Sequence, residues 1–297
     1  MNTRLSSWHS SPTCKVAANI SELLKQAGST LENSADARID AEALLCHVLQ
    51  CDRSWLYTWP EKIIKPAQAE QFTSLVSERA RGTPVAYLTG KREFWSLAFE
   101  VTPDTLIPRP ETELLVETLL QKFTTEHLEV LDLGTGCGAI AIALAHARPR
   151  WQLTATDVSS AALEVARRNA VRNSLHNLHL LRSDWFENLG NQCFDVIVSN
   201  PPYIAESDVH LAQGDVRFEP QGALRSGSRG LDDIQYLCAH ASGHLHPSGW
   251  FFCEHGYDQK AAVKQCFEQN GFSTIVQLED LAGLPRVTGG RIHRGEA

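Results

Sequence analysis

The second half of this chain alternates short apolar runs with helix-patterned stretches. Residues 128–133, 153–156, 178–181, 194–199 and 250–253 read as strands, and residues 139–147, 160–170 and 259–269 as helices between them. Strands alternating with helices predict right-handed crossovers and a largely parallel sheet covered on both faces, an α/β fold whose ligands bind at the carboxyl ends of the strands. The first 80 or so residues carry a different period. Ala41, Leu44, Leu45, Val48 and Leu49 form a one-faced helical stripe, with Asn33 and Ser34 upstream as capping side chains. Pro66 suits the first position of another helix, whose stripe is Ala69, Phe72 and Val76. A small helical bundle is the expected result. From Glu93 to Ile107 aromatic and β-branched residues are interrupted by Pro103-Asp104, which predicts a two-stranded connector turning at that pair. Ile107-Pro108-Arg109-Pro110 then closes one unit, and Glu111, Thr112 and Glu113 open a helix running towards Phe123. The expected boundaries are residues 1–90 for the bundle, 91–108 for a β-hairpin connector and 109–297 for the α/β domain.

Composition changes this picture little. With 297 residues and 43% hydrophobic content there is ample material for two packed units. The net charge of −8 is spread without long single-sign runs, which argues against gripping a DNA duplex by its phosphates, although a local basic groove stays open. The eight cysteines form no C-x-x-C pair and no Cys/His cluster with zinc spacing, so no metal site is expected and a reducing compartment fits. No apolar run is long enough to span a bilayer and the N-terminus has no secretory apolar core, so the expected location is the cytoplasm. The first twenty residues are serine-rich, lack acids and include Arg4 and Lys15, a composition that also fits an organellar transit peptide.

Candidate chemistry begins after the first α/β strand. Asp132-Leu133-Gly134-Thr135-Gly136-Cys137-Gly138 opens an alanine-rich helix, where glycines let backbone N–H groups approach a ligand at a helix N-terminus. A tight strand-to-helix turn is the plain alternative. Asp157 ends the second strand, where a carboxylate can accept both hydroxyls of a ribose. The G-x-G-x-G spacing departs from the dinucleotide pattern G-x-G-x-x-G and resembles the first motif of S-adenosylmethionine-dependent methyltransferases. In that family the position of Ser183-Asp184-Trp185, after the third strand, holds adenine. Trp185 also reads as a core aromatic, and Asp184 as a helix cap.

Asn200-Pro201-Pro202-Tyr203 ends the fourth strand. Two prolines stiffen the loop and leave backbone carbonyls free to accept hydrogen bonds, and Asn200 adds a side-chain acceptor. Taken alone the tetrapeptide is a turn. Beside a methyl-donor site it resembles the Pro-Pro-aromatic signature of enzymes that methylate a planar amino or amide nitrogen. There the Asn200 side-chain oxygen and the Pro201 carbonyl would accept the two N–H bonds of the target, turning its lone pair towards the methyl group, while Tyr203 packs on the amide plane. No strong general base is required.

Further segments sharpen the resemblance. Residues 82–90, Arg92-Glu93-Phe94-Trp95, residues 106–113, Arg217-Phe218-Glu219-Pro220 and residues 280–286 are together similar to the bacterial peptide chain release factor glutamine-N5 methyltransferase family, over nearly everything from Val16 to Arg291. The stretch 105–113 discriminates, because adenine methyltransferases share the glycine loop and the Pro-Pro motif without it. Read plainly, it is a linker with a helix start, Arg109 pairing with Glu111 or Glu113. The resemblance implies a Rossmann-like seven-stranded methyltransferase sheet, a small all-helical N-terminal domain that recognises the substrate, and a β-hairpin connector. It also implies methyl transfer from S-adenosylmethionine, leaving S-adenosylhomocysteine, to the glutamine of a Gly-Gly-Gln tripeptide in release factors. Carried over by position, Gly134, Thr135, Gly136, Cys137, Gly138, Asp157, Asp184, Trp185 and Asn200 would bind the cofactor. Asn200, Pro201, Pro202 and Tyr203 would hold the glutamine, with Asn200, Pro201 and Tyr203 catalytic. No direct nucleic-acid substrate and no membrane partner are expected, and one chain suffices for the chemistry, so a monomer is expected. An adenine-N6 methyltransferase acting on nucleic acid keeps the same loop, and a non-catalytic module retaining a cofactor fold is the third reading.

Overall fold

The structure, a computed structural model, describes residues 18–34 and 36–293, so most of the stretch read for transit-peptide composition, with Cys14 and Val16, lies outside the described residues. The chain divides into two compact units between Thr89 and Gly90.

The first unit is helical: α1 (Ile20–Thr30), α2 (Ala37–Leu49), α3 (Arg53–Thr58), α4 (Pro66–Ala80) and α5 (Val85–Thr89). A capping box starts α1, with the Glu22 N–H donating to Asn19 Oδ1 at 2.9 Å and the Asn19 N–H to Glu22 Oε2 at 3.1 Å. The expected caps of α2 do not act there. Asp36 stands at the cap without a side-chain bond, and Ser34 Oγ donates instead to Asp40 Oδ2, 3.0 Å away. Asp40 is also paired with Arg79 at 2.7 Å, and this partly buried carboxylate attracts the hydroxyl more strongly than a backbone N–H would be served by it. The predicted stripes are the core: Ala41, Leu44, Leu45, Phe72 and Val76 are buried together with Ile20 and Leu23. Each such large side chain removed from water contributes about 1.5–3 kcal/mol. Pro66 opens α4 at its first turn, where no N–H is needed.

The second unit begins with a hairpin, β1 (Lys91–Phe94) paired antiparallel with β2 (Leu97–Glu100). Its turn is Trp95-Ser96, not Pro103-Asp104. Both turn residues have positive φ, 51° and 58°, the geometry in which a two-residue hairpin turn matches strand twist, and neither is the glycine or asparagine that normally signals it. The Trp95 N–H is held by Glu113 Oε1 at 2.8 Å. Asn169, buried on α8 (Ser160–Arg172), ties β2 down, its Oδ1 accepting the Glu100 N–H at 2.7 Å and its Nδ2 donating to the Glu100 carbonyl at 3.0 Å.

After α6 (Glu113–Lys122) comes a seven-stranded sheet of order β5-β4-β3-β6-β7-β9-β8. Its strands are β3 (Glu129–Leu133), β4 (Gln152–Asp157), β5 (Leu178–Arg182), β6 (Phe194–Ser199), β7 (Leu245–Glu254), β8 (Phe272–Glu279) and β9 (Pro285–Ile292). The first five are parallel; β9 is antiparallel to both β7 and β8. Helices α7 (Ala139–Ala147), α8, α9 (Asp232–Ala241) and α10 (Lys260–Gln269) complete the layers. Central strands read as continuous apolar runs because both faces are covered: Val196, Ile197 and Val198 are fully buried, as are Phe251 and Phe252. The strand order reverses at β3, whose neighbours are β4 and β6. The crevice at such a reversal is where this class of sheet binds ligands.

Candidate active site

The glycine loop follows β3 at that reversal. Asp132, buried at the end of β3, organises it: its Oδ2 accepts Thr135 Oγ1 at 2.6 Å and the Ala141 N–H at 3.2 Å, and its Oδ1 is buried without a partner. Burial pushes this carboxyl up to about 7, against the pull of those two donors. Asp157, at the end of β4, closes the loop from the other side. The Gly136 N–H donates to its Oδ2 and the Ser159 N–H to its Oδ1, both at 2.8 Å. Burial raises this carboxyl as well, with the backbone donors opposing.

A cavity of about 360 Å³ lies against these groups, lined among others by Gly134, Gly136, Asp157, Asp184, Trp185 and Asn200. Trp185 is a core aromatic that also lines the cavity. It packs against the main core cluster, and its ring forms a wall of the cavity so close to the loop that a Cβ on Gly134 would sit 3.3 Å from the ring. Asp184 is exposed on a turn and caps no helix. Thr135, Cys137 and Gly138 do not reach the cavity wall. Thr135 is turned to Asp132; Cys137 is buried, its thiol pushed up to about 12. Gly138 lies where a Cβ would meet Ile142 Cδ1 at 2.7 Å and Ala166 Cβ at 3.3 Å, so it allows α7 and α8 to approach closely.

A second cavity, about 300 Å³, adjoins the first and shares Leu106, Asn200 and Ala223 with it. Pro201, Tyr203, Arg109, Glu111, Glu254 and Arg286 also line it. Pro202 lines the first cavity, so alternate residues of the loop serve alternate cavities and Asn200 stands between them. The Asn200 amide is oriented: Nδ2 donates to Thr112 Oγ1 at 3.1 Å. Tyr203 Oη donates to Glu254 Oε1 at 3.1 Å, and Gln259 Nε2 holds the Tyr203 carbonyl at 2.9 Å. Glu254, fully buried at the end of β7, is pushed up to about 7 by burial, while Thr112, Tyr203 and Arg286 stabilise its charged form and Glu111 disfavours it. Next to it burial also drives the Tyr203 phenol well above its usual range.

The connector motif reaches this cavity by a long-range pair. Arg109 bonds neither Glu111 nor Glu113 but Glu219, whose other oxygen accepts the Ile107 N–H at 3.1 Å. Two motifs that are separate in sequence are thus two ends of one link. Sequence reading passed over Thr112 as an anchor, Glu254 and Gln259. A carboxylate ending the apolar run Trp250-Phe251-Phe252-Cys253 was the available signal for Glu254. Among the described residues no group of three or more His, Cys, Asp or Glu side chains is placed to hold a metal ion, and no helix is long and apolar enough to cross a membrane.

A mostly parallel sheet whose strand order reverses at a glycine cradle, with an Asn-Pro-Pro-Tyr loop on the neighbouring strand, places this chain among the Rossmann-like methyltransferases. Its fold is that of a methyltransferase from Pyrococcus furiosus, with a TM-score of 0.51 at 22% identity over 67% of this chain and 90% of that one. The PrmC N-terminal domain model matches residues 22–90, and the methyltransferase small domain model residues 110–222. The release factor glutamine methyltransferase of Xylella fastidiosa is 51% identical over 255 residues, 86% of this chain and 93% of that protein. That of Pseudomonas aeruginosa is 50% identical over 272 residues, covering 92% and 98%. The chain belongs to the release factor glutamine methyltransferase family.

Proposed function

We propose that this protein transfers a methyl group from S-adenosylmethionine to the side-chain amide nitrogen of the glutamine in the Gly-Gly-Gln tripeptide of peptide chain release factors. The observation that carries this reading is the Asn200 amide standing between the two cavities with its Nδ2 engaged by Thr112, which leaves Oδ1 as an acceptor. An amide –NH₂ needs acceptors to bind it, and Asn200 Oδ1 with the Pro201 carbonyl supplies two. Accepting both N–H bonds favours a pyramidal nitrogen and turns its lone pair towards the first cavity. The Tyr203 ring, held through Glu254, walls the second cavity for the flat amide.

The residues of the first cavity fit the cofactor. The loop brings backbone to within contact of Trp185 where any side chain would intrude, and Asp157 keeps lone pairs for ribose hydroxyls after taking two N–H groups. Gly134, Gly136, Asp157, Asp184 and Trp185 would hold it, with Thr135, Cys137 and Gly138 contributing through the shape of the loop. When bound, the cofactor supplies an electrophilic methyl group on sulfur. No base of high affinity is required, because an alkylated amide nitrogen sheds its proton readily. Residues 1–90 would recognise the partner, residues 91–108 connect and residues 109–297 catalyse. Both cavities are lined by one chain, so a single copy suffices for the chemistry, and a substrate that works in translation supports a cytoplasmic enzyme.

Incubation with labelled S-adenosylmethionine and either intact release factor or one with the tripeptide glutamine replaced by alanine tests the proposal. Label should enter the intact factor alone, with the methyl mapped to that glutamine by mass spectrometry. Equal labelling of both factors, or transfer to DNA and not to the factor, overturns it. Asn200→Ala should abolish turnover while cofactor binding largely persists.

A further inference from the structure

We propose that the tip of the β8–β9 hairpin, residues 280–286, forms with Tyr257 a docking surface for the folded protein that carries the target glutamine. The inference deepens the function proposed above and rests on it. A Gly-Gly-Gln tripeptide offers a single side chain, and the acceptor cavity takes it, so contacts that tell one glutamine-bearing protein from another must lie beside that cavity. The tip lies there. Arg286 lines the acceptor cavity and its Nε donates to Asp280 Oδ2 at 2.8 Å, so a wall of the cavity is bonded directly to the start of the tip. The loop after β7 that carries Tyr257 is fastened to the same place. The His255 N–H donates to the Arg286 carbonyl at 2.9 Å, the Gly256 N–H to Gln259 Oε1 at 2.8 Å, and Gln259 Nε2 to the Tyr203 carbonyl at 2.9 Å.

The tip is internally held, and its apolar side chains stay outside the core. Asp280 Oδ1 accepts the Ala282 and Leu284 N–H groups at 2.9 and 3.0 Å. The Asp280 N–H donates to the Leu284 carbonyl, and its own carbonyl accepts the Gly283 N–H, both at 2.9 Å. Gly283 supplies the positive φ of 75° within this turn. On that frame Leu281 is fully exposed, and Leu284 and Tyr257 are exposed with it. The Arg286 guanidinium carbon lies 5.9 Å from the centre of the Tyr257 ring and joins the leucine turn to the aromatic. A lone exposed leucine needs no explanation, but two leucines beside an Arg-Tyr pair have the composition of an interface centre. A turn already closed by its own hydrogen bonds loses little freedom when a partner covers it. Asp280 and Arg286 neutralise each other, so the surface suits an apolar depression on a protein rather than the phosphates of a nucleic acid.

Leu281→Asp and Leu281→Met in the full chain test the surface, since Leu281 lines neither cavity. Calorimetric titration of the enzyme, loaded with S-adenosylhomocysteine, with intact release factor should show about tenfold weaker binding for Leu281→Asp and near wild-type binding for Leu281→Met. In steady-state methylation the loss should fall on KM for the factor. The kcat at saturating factor, the cofactor affinity and the melting temperature should match wild type. Unchanged affinity for the factor in Leu281→Asp overturns the proposal, whether or not sedimentation shows that the variant has dissociated a self-associated enzyme. A loss confined to kcat, or an equal loss in Leu281→Met and Leu281→Asp, also overturns it. A wild-type enzyme that leaves release factor unlabelled defeats the proposed function instead, and the titration still judges the surface.

Discussion

Arg109 and Glu219, 110 residues apart, form an ion pair that ties the segment before α6 to the loop after the Asn-Pro-Pro-Tyr motif. Glu219 is wholly buried at its side chain, while Arg109 keeps 30% exposure, so the pair is a desolvated carboxylate reached from outside by a cation. Burial raises the Glu219 carboxyl and Arg109 is the first group opposing that rise. Arg109→Met keeps the stem and removes the charge, and should cost about 2 kcal/mol, less than a fully buried pair would. Without the cation Glu219 rises further, so the folded state holds a proton the unfolded chain has released, and the deficit grows as pH increases. Thermal melts at pH 5 and pH 8 check this; equal deficits at both would show that lost packing, not charge, is responsible.

Asp132 carries a related signature. Its folded value of about 7 lies above that of an unfolded aspartate, so its contribution to stability falls as pH rises between those values, by up to about 1.4 kcal/mol per pH unit. Asp132→Asn can still accept from Thr135 and Ala141 and does not titrate. The variant should therefore gain on wild type in melting temperature between pH 5 and pH 8. His255, pushed down by burial, works in the opposite sense below its ordinary value and is common to both proteins, so the difference isolates Asp132.

Gly134 and Gly136 both have positive φ, 71° and 58°, but only Gly134 has a neighbour, the Trp185 ring, in the path of a Cβ. Gly136→Ala should cost about 1–2 kcal/mol of stability, the left-handed penalty alone. Gly134→Ala should cost more, and the excess should vanish in a Trp185→Leu background. Denaturant melts of the single and double variants without cofactor decide it; an excess that survives loss of the ring would mean that backbone strain explains both.

Asp157→Ala should weaken S-adenosylmethionine binding by about 1.5–3 kcal/mol, the range for a hydrogen bond to a charged group. The loop would also lose the tie from the Gly136 N–H, so the loss should appear chiefly as faster dissociation. Titration calorimetry and stopped-flow measurements read the two quantities. Affinity equal to wild type would remove Asp157 from the ribose.

Much of the fold was legible because buried parallel strands and helix stripes have distinct periods. Phe194–Ser199 and Ala139–Ala147 have the ends their patterns predicted. The two antiparallel strands β8 and β9 were not read. Phe272–Glu279 mixes half-buried polar and apolar positions at the sheet edge, and Pro285–Ile292 carries Gly289 and Gly290, which let Phe252 and Phe267 approach. The hairpin turn was misplaced because Trp95 and Ser96 adopt positive φ with no local reason to do so; Glu113, 18 residues on, supplies the hydrogen bond.

The sequence by itself determined the parts of this protein whose chemistry is local: a glycine loop between a strand and a helix, a stiff Pro-Pro loop with an amide beside it, an acid at a strand end. Those follow from φ restrictions and periodicity, which neighbouring residues impose on one another. Tertiary structure alone decided how they are joined. Asn200 meets Thr112 across 88 residues, Tyr203 meets Glu254 across 51, and Arg109 meets Glu219 rather than the nearer Glu111 or Glu113. Side-chain orientation inside a buried site depends on which donor or acceptor the fold delivers to it, and a linear pattern does not carry that information.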